Sequence, residues 1–382
     1  MLLFISLVYV GLISLAVFFI YEEKPEQLTL TYTLKDIWPH SFDSLPSATI
    51  FSGPRIFKSP QNQLILVQTT YDEALDSNVF HLLIYEDSSW YDTNLDQMLM
   101  AKKPIRYTVD FMTNGELYIA YQEDAGEDIY FLRWRNNEWE TAGLFSGNAK
   151  GWDTAIVNDT IYFIWEDTGT ISLGKWEGTD QIENASLEFI STLQGTEPTF
   201  LRGFNQNVFV SSIDSFNRLR ISQWESQWQT IGTFPADTQF DAIVSSSGEI
   251  YLAWIPITDK PEVIKWVPSE QEWQTIPSII PPVNDNDGYY HGVWLELDND
   301  DSLYVGYTFF ARNNLFVAKL INDQWFYVQN STAPDPNLLS FNEFAYYPRL
   351  VAVNNQVFVS WLGSVRNRGN GYKPGLLFGQ EG

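Results

Sequence analysis

The sequence predicts an all-β fold: a seven-bladed β-propeller of four-stranded antiparallel blades, closed by an N-terminal strand and preceded by a transmembrane helix. Three observations support this prediction. A short strand recurs seven times, Trp, Tyr and Phe make up 16% of the chain, and an uncharged apolar run precedes the repeats. Aromatic side chains favour strands because they pack well on pleated, half-buried surfaces. Closed β folds often form one domain, so 382 residues need no division into several.

The recurring strand is the main signal for the propeller. Its seven copies are LILVQ at 64–68, LYIAY at 117–121, IYFIW at 161–165, VFVSS at 208–212, IYLAW at 250–254, LYVGY at 303–307 and VFVSW at 357–361. A repeat of about 40–50 residues with about four strands is typical of propeller blades. We therefore predict blades at about 48–103, 104–151, 152–196, 197–238, 239–289, 290–345 and 346–382, the last completed by 28–34.

The surroundings of the recurring strand also repeat. A turn rich in Asn, Asp, Gly and Ser precedes most copies, as at Asn158-Asp159, and these residues tolerate the positive φ of tight hairpins. A Trp-led strand often follows, as at Trp139. Small residues such as Ala120 and Gly306 occupy the fourth place of several copies. We expect them to allow neighbouring strands to approach closely.

Closure of the ring is predicted from two leftover segments. The last unit has three predicted strands, the third at 376–378, and lacks a fourth, while the alternating segment 28–34 belongs to no unit. A closed ring leaves no exposed strand edge, so we expect 28–34 to complete the last blade. The predicted organisation is a transmembrane signal-anchor helix at 1–21, a linker with the ring-closing strand at 22–47, and the propeller at 48–382.

The N-terminal run from Leu2 to Ile20 contains no charged residue. Its length is close to the about 20 apolar residues that span a bilayer as a helix. One interpretation is a retained single-pass anchor that holds the propeller outside the cytoplasm. The other is cleavage after the small-residue triplet Ser14-Leu15-Ala16, which would leave a secreted protein.

Composition excludes several classes of function. The net charge is −26, with 22 Lys and Arg against 48 Asp and Glu, so nucleic acid and anionic lipid surfaces are unsuitable partners. The absence of cysteine excludes disulfides, thiolate metal sites and a Cys nucleophile. Three histidines make a multi-histidine metal centre improbable. We expect no cofactor; the Asn- and Asp-rich stretch 284–288 is only a weak candidate for Ca²⁺.

The order of these features resembles a known family. The repeats over about 48–382 contain an opening Pro-x-apolar strand, an Asn/Gly turn, the apolar-Tyr-apolar-Ala-Tyr/Trp strand and a Trp-containing hairpin. This order is similar to exported bacterial propeller repeats of the sialidase-like superfamily. The family's Asp-box has its nearest match at 212–216, which lacks the Gly. The resemblance implies an Arg cluster for a sugar carboxylate and a Tyr nucleophile paired with a Glu. Tyr346 or Tyr347 with Glu343 would take those roles, and Asp72 or Glu73 that of an acid.

Three arginines are the leading candidates for ligand binding. Arg55, Arg106 and Arg349 stand near the starts of first strands in units that a closed ring makes neighbours. In a chain so poor in basic residues, such a cluster suits a carboxylate or a sulfate. The alternative is that these arginines pair with loop carboxylates around the channel.

Acidic residues that follow the second strands form a second candidate set: Asp72, Glu123 and Glu166. The start of a first strand and the end of a second lie on one face of a propeller, so we expect these carboxylates on the face that holds the arginines. Paired carboxylates there suit Ca²⁺ or glycosidase chemistry. The alternative is a set of solvated loop residues.

The function predicted from these observations is a membrane-anchored extracytoplasmic propeller that binds a protein or a glycan through one face. Two alternatives stay open: a sialidase-like glycoside hydrolase acting on acidic glycans, and an accessory subunit of a membrane complex. No catalytic residue and no metal site is predicted. Whether the chain is an enzyme is left open, and the non-enzymatic interpretation is favoured.

Overall fold

The structure is a computed structural model, and it describes residues 28–36, 55–72, 77–86, 89–95, 104–123, 128–147, 149, 151–177, 188–196, 201–204, 207–235, 240–255, 260–279, 290–309, 314–330, 344–354, 356–364 and 372–381. The regular elements in these ranges are strands, numbered from β1 (Leu28–Asp36). Among these residues no helix is long and apolar enough to cross a membrane. The transmembrane helix predicted at 1–21 lies outside the described residues.

Three sheets hold the first part of the repeat, each with four antiparallel strands in sequence order. Sheet 1 contains β2 (Arg55–Lys58), β3 (Leu64–Asp72), β4 (Ser77–Glu86) and β5 (Ser89–Asp92). Sheet 2 contains β6 (Pro104–Phe111), β7 (Leu117–Glu123), β8 (Ile129–Arg135) and β9 (Glu138–Phe145). Sheet 3 contains β10 (Trp152–Val157), β11 (Thr160–Asp167), β12 (Thr170–Glu177) and β13 (Glu188–Gln194).

Two further sheets repeat this four-stranded pattern. Sheet 4 contains β14 (Leu201–Phe204), β15 (Asn207–Ile213), β16 (Arg218–Trp224) and β17 (Trp228–Pro235). Sheet 5 contains β18 (Phe240–Val244), β19 (Ile250–Trp254), β20 (Glu262–Val267) and β21 (Glu272–Thr275). The recurring strand of the sequence is the second strand of each of these sheets.

Sheet 6 is different because it has eight strands. In spatial order they are β22 (Tyr290–Leu297), β23 (Leu303–Phe309), β24 (Asn314–Ile321), β25 (Gln324–Asn330), β1, β28 (Tyr372–Glu381), β27 (Gln356–Ser364) and β26 (Phe344–Val353). The two edge strands of this sheet are β22 and β26.

The prediction of seven separate four-stranded blades is therefore wrong, because the described strands form six hydrogen-bonded sheets, five of them with four antiparallel strands. The physical reason lies in β1, which has two partners. Residues 32–36 pair antiparallel with β28, and residues 28–32 pair parallel with β25. One strand thus joins the last two units of the repeat into a single sheet.

The sheets surround one central cavity of about 870 Å³. Its wall is formed by the first strands of sheets 1 to 5 and by both edge strands of sheet 6: β2, β6, β10, β14, β18, β22 and β26. Along this wall β26 contacts β2, and β10, β14, β18, β22 and β26 contact one another in sequence. Antiparallel sheets arranged radially around a cavity are the architecture of a β-propeller.

The hairpin turns and the Trp residues hold this arrangement together. Asn158 and Asp159 both have positive φ, as a tight turn between β10 and β11 requires. Apolar clusters fill the spaces between neighbouring sheets. The indole N–H of Trp273, at the start of the outermost strand of sheet 5, donates to the carbonyl of Ile231 in sheet 4 at 2.7 Å. Trp273 therefore links sheet 5 to sheet 4.

Candidate functional site

Arg55, Arg106 and Arg349 all line the central cavity. They lie on β2, β6 and β26, which are consecutive strands of its wall. Because β2 is packed against β26, Arg55 and Arg349 approach each other from neighbouring sheets. The structure thus brings together the three arginines that the sequence singled out.

Aromatic rings of neighbouring sheets hold two of these arginines in place. The guanidinium carbon of Arg55 lies 4.8 Å from the ring centroid of Tyr107 in β6. That of Arg106 lies 5.4 Å from the ring centroid of Trp152 in β10. Trp152 is fully buried, and its indole N–H donates to Gln122 Oε1 at 2.9 Å. Each arginine is positioned over a ring whose place is fixed by packing.

The three guanidinium groups form a cluster of like charges that repel one another. Burial, and next the positive charge of Arg55, lower the pKa of Arg349 to about 10. Burial also lowers the pKa of Arg106; Asp153 opposes this shift and Arg55 adds to it. Among the described residues, the ion pairs with carboxylates involve other basic side chains, such as Lys58 and Arg202. An anion between the arginines would relieve their mutual repulsion.

Three aspartates on the cavity wall connect the first strands of consecutive sheets. Each carboxylate accepts a backbone N–H from the next strand of the wall: Asp110 from Ile156 at 2.6 Å, Asp153 from Leu201 at 2.7 Å and Asp241 from Leu295 at 2.9 Å. Burial raises the pKa of all three carboxyls, that of Asp110 to about 7. These side chains stabilise the ring and also present acceptor oxygens at its inner surface.

Lys58 connects three strands of the wall. Its ammonium group donates to the carbonyl oxygens of Leu297 at 2.7 Å and Ala352 at 2.9 Å, and it lies 3.2 Å from Glu296 Oε1. Burial raises the pKa of Glu296 to about 7, although Lys58 opposes the shift. Lys58 therefore has three partners on the cavity wall.

Arg202 lies on the side of the cavity where the aspartates gather. Its Nη1 donates to the carbonyl of Leu201 at 2.8 Å and lies 3.7 Å from Asp153 Oδ2. With Arg202 and Lys58, five of the chain's 22 Lys and Arg line this one cavity. In a chain of net charge −26 this concentration marks the cavity as the main cationic feature of the described residues.

Of the acidic candidates, Glu123 and Glu166 are not among the described residues that line the cavity. Glu123 pairs with Pro104 at the start of β6, and the backbone N–H of Glu166 donates to the carbonyl of Gly151, just before β10. These two residues therefore lie on the face that holds Arg106, but away from the cavity wall. Asp72 pairs with Ser77 at the end of β3, and its side chain is outside the described part of the structure.

Several other predicted features lie outside the described residues: Glu73, Glu343 and the stretch 284–288. Tyr346 and Tyr347 belong to β26, but their side chains are not described. Within the described ranges, no group of three or more His, Asp or Glu is placed to hold a metal ion.

Sequence reasoning missed the other charged residues of the wall, which are Lys58, Asp110, Asp153, Arg202, Asp241 and Glu296. A signal for some of them was present. Asp153 lies within the strand WDTAIV and Asp241 within FDAIV, so each is a single carboxylate inside an otherwise apolar strand. A buried charge is costly unless it is hydrogen-bonded, so such a residue points to a specific backbone partner.

Comparisons with known proteins show the fold. A structure of the SapL1 lectin in complex with alpha methyl fucoside matches with a TM-score of 0.50 and 13% identity, over 77% of this chain and 98% of the lectin. An oligogalacturonate lyase in complex with manganese matches with a TM-score of 0.57 and 10% identity, over 94% of this chain and 98% of the lyase. A puromycin-hydrolyzing peptidase of Mycobacterium tuberculosis matches with a TM-score of 0.55 and 9% identity, over 91% of this chain and 55% of the peptidase.

These matches are β-propeller proteins, and at such low identities they establish the β-propeller fold alone. No protein-family model matches the chain. No curated protein matches it in sequence. The resemblance to the sialidase-like superfamily therefore stays a prediction.

Proposed function

We propose that this chain is a binding module whose central cavity takes an acidic ligand, a glycan that carries a carboxylate or a sulfate. The observation that carries the proposal is the arginine cluster of Arg55, Arg106 and Arg349 on three consecutive strands of the wall. Guanidinium groups bind carboxylate and sulfate oxygens through charge-assisted hydrogen bonds, and a fork of donors gives them directional preference.

Electrostatics support this assignment. Like charges that lie close together and partly buried are unfavourable without a ligand, and the lowered pKa of Arg349 reflects that situation. Binding sites often keep such unfavourable clusters because the ligand supplies the missing opposite charge. The aromatic rings under Arg55 and Arg106 hold the two side chains ready, which reduces the entropy lost on binding.

Two of the structural neighbours support a carbohydrate ligand in a limited way. One is a lectin solved with alpha methyl fucoside, and the other is an oligogalacturonate lyase. They share the fold with this chain at 13% and 10% identity. The choice of an acidic ligand therefore depends on the charges of this cavity.

Calorimetric titration tests the proposal with D-glucuronate as the acidic sugar and D-glucose as the neutral one. Wild-type protein should bind glucuronate and not glucose. Substitution of Gln for Arg55, Arg106 or Arg349 should each weaken glucuronate binding about 10- to 100-fold, because each removes a charge-assisted hydrogen bond.

Arg135→Gln is the matched control. Arg135 is partly exposed, pairs with Glu116 at 3.2 Å and lies away from the cavity wall, so this variant should bind like wild type. Equal affinity for glucose and glucuronate, or undiminished glucuronate binding in all three cavity variants, would contradict the proposal.

A glycoside hydrolase is a second candidate, and one observation favours it. Asp110 lines the same cavity, and burial raises its pKa to about 7, so its carboxyl is about half protonated near neutral pH. Protonated carboxyls of this kind act as general acids in glycosidases. Incubation with a panel of acidic glycans should release sugars if this candidate is right, and the release should be lost in Asp110→Asn. If no glycan in the panel is cleaved, the hydrolase candidate is contradicted and the binding module remains the proposed function.

The cellular location is a separate proposal that rests on the sequence. The uncharged run 2–20 supports a place outside the cytoplasm, with the run either retained or cleaved. Fractionation with intact-mass measurement distinguishes the two, and recovery of the uncleaved chain in the soluble cytoplasmic fraction would contradict both. Co-purification from detergent extracts tests the alternative of an accessory subunit.

A further inference from the structure

Apart from Asp110, which accepts the N–H of Ile156, and the ion pair of Lys58 with Glu296, the charged residues of the cavity group into two arcs. The cationic arc consists of Arg349, Arg55 and Arg106 on β26, β2 and β6. The anionic arc consists of Asp153 and Asp241 on β10 and β18, with Arg202 of β14 between them. β6 and β10 are neighbours along the wall, so Asp153 lies next to Arg106, and β22 separates β18 from β26. The arginines and the aspartates therefore occupy two adjoining parts of the wall around one cavity.

Strand register places two residues of each arc at the same height, while Arg106, which pairs with Gln122, lies two residues closer to the start of its strand. Arg55 pairs with Val67, Arg349 with Ser360, Asp153 with Ile164 and Asp241 with Ala253. Each of these partners is the fourth residue of a copy of the recurring strand. Equivalent positions in repeated sheets lie at equivalent depths, so two cations and two carboxylates share one level of the ring.

Arg202 lies between the two carboxylates of the anionic arc. It is 3.7 Å from Asp153 Oδ2, and its charge opposes the burial-raised pKa of both Asp153 and Asp241. Both carboxylates nevertheless keep acceptor positions. The two carboxylate oxygens of Asp241 accept backbone N–H groups from Ala242 at 3.0 Å and Leu295 at 2.9 Å. An ionised carboxylate has about four acceptor positions, so Asp241 keeps capacity for further donors. The same argument holds for Asp153, whose Oδ2 accepts the N–H of Leu201.

We propose that Asp153 and Asp241 are specificity-determining residues, and that the ligand is a hydroxylated acid whose acidic group meets the cationic arc while its hydroxyl groups donate to the anionic arc. This inference rests on the proposed binding function and narrows it. A simple anion would bind to the cationic arc only. A uronic acid carries a carboxylate for the cationic arc and several hydroxyl groups for the anionic arc on one rigid sugar ring.

We expect the anionic arc to bind hydroxyl groups in preference to an ammonium group. Arg202 already offers a positive charge beside Asp153 and Asp241, and it lies 3.7 Å from Asp153 Oδ2. A neutral donor can bind there without competing with Arg202. The preference therefore follows from hydrogen-bonding capacity more than from net charge.

The test compares two ligands of matched shape, D-glucuronate and tetrahydropyran-2-carboxylate, which is the same ring acid without hydroxyl groups. Calorimetry on wild-type protein should give glucuronate about tenfold tighter binding or more, because the hydroxyl donors find charged acceptors. Asp153→Asn and Asp241→Asn should each lower glucuronate affinity about tenfold and leave the affinity for the bare ring acid unchanged.

Controls separate this inference from the proposed function. Arg55→Gln should weaken both acids, because both need the cationic arc. Glu138→Gln, on the exposed side of β9, should change neither. Circular dichroism and thermal unfolding check that the Asn variants fold, and the wild-type ligand comparison needs no variant. Equal wild-type affinity for the two acids, or equal losses for both in the Asn variants, would overturn the inference while the binding function stands. If neither acid binds wild type, both proposals fail.

Discussion

At the scale of single residues, Lys58 is the clearest case of a charge used for stability. Its ammonium group has two carbonyl partners and the carboxylate of Glu296, and both side chains are mostly buried. Removal of one partner from a buried pair leaves an uncompensated charge, which costs about 3–5 kcal/mol. We expect Lys58→Met to lower the free energy of unfolding by that amount, measured by urea denaturation.

A double-mutant cycle identifies the cause of that loss. Adding Glu296→Gln to Lys58→Met should recover part of the stability, because the stranded carboxylate disappears. The pair of Lys175 and Glu188, 3.4 Å apart with an exposed glutamate, is the control, and Lys175→Met should cost about 1 kcal/mol or less. Equal losses in the two Lys variants, with no recovery in the double variant, would contradict a special role for Lys58.

The sequence predicted some of these residues and missed others for a physical reason. Arg55, Arg106 and Arg349 occur at similar places in repeats that a ring makes neighbours, so repetition alone brings them together. Asp110 and Asp153 depend on partners 46 and 48 residues away, in the next repeat. Such partners follow from the register between sheets, which alternation along one strand does not determine.

At the scale of strands and sheets, two neighbouring sheets approach each other closely at a glycine that the repeat did not identify. A Cβ atom on Gly203 of β14 would lie 1.8 Å from Val157 Cγ2 of β10. Val157 is buried, so it has little room to move. We expect Gly203→Ala to push the two strands apart and lower the free energy of unfolding by about 1–3 kcal/mol in urea denaturation.

Gly306 supplies the matched control for that substitution. It occupies the fourth place of the recurring strand, where the sequence suggested a close approach, yet a Cβ there would meet no atom nearer than 3.9 Å. Gly306→Ala should therefore be neutral or slightly stabilising, because alanine restricts the unfolded chain. If the two alanine variants lose stability equally, the contact with Val157 is not the cause.

β1 shows what periodicity predicts and what it leaves open. Alternation at 28–34 predicted a strand near the last unit, and β1 pairs with β28 over 32–36. The parallel pairing of 28–32 with β25 has no counterpart in the pattern, because alternation describes the two faces of a strand and not its edges. The count of separate sheets therefore could not be predicted from the repeat.

At the scale of the whole molecule, the charge distribution is uneven. The chain carries 48 Asp and Glu against 22 Lys and Arg, yet the cavity wall holds five basic and four acidic side chains. The negative surplus therefore lies elsewhere in the chain and repels anions at long range. At physiological salt the repulsion is screened over about 8 Å, so the local arginines decide the affinity for an acidic ligand at short range.

The buried carboxylates of the ring also give the whole molecule a predictable pH dependence. Burial raises the pKa of Asp110 to about 7 from 3.8, so between these values the folded protein holds a proton that the unfolded chain releases. The stabilisation that the Asp110 carboxyl contributes to the folded state is complete below about pH 4, and it is lost as the pH rises through 7. Each such proton changes the free energy of unfolding by about 1.4 kcal/mol per pH unit.

Urea denaturation between pH 5 and pH 8 measures this effect in wild type and in Asp110→Asn. The variant loses one acceptor of a backbone N–H and should be less stable at pH 5, but its stability should fall less steeply with pH because the titrating group is gone. Asp300→Asn is the control, since the pKa of Asp300 is lowered and this group titrates below the window. Parallel curves for wild type and Asp110→Asn would show that the Asp110 carboxyl is ionised throughout, and that the ring tolerates its full charge.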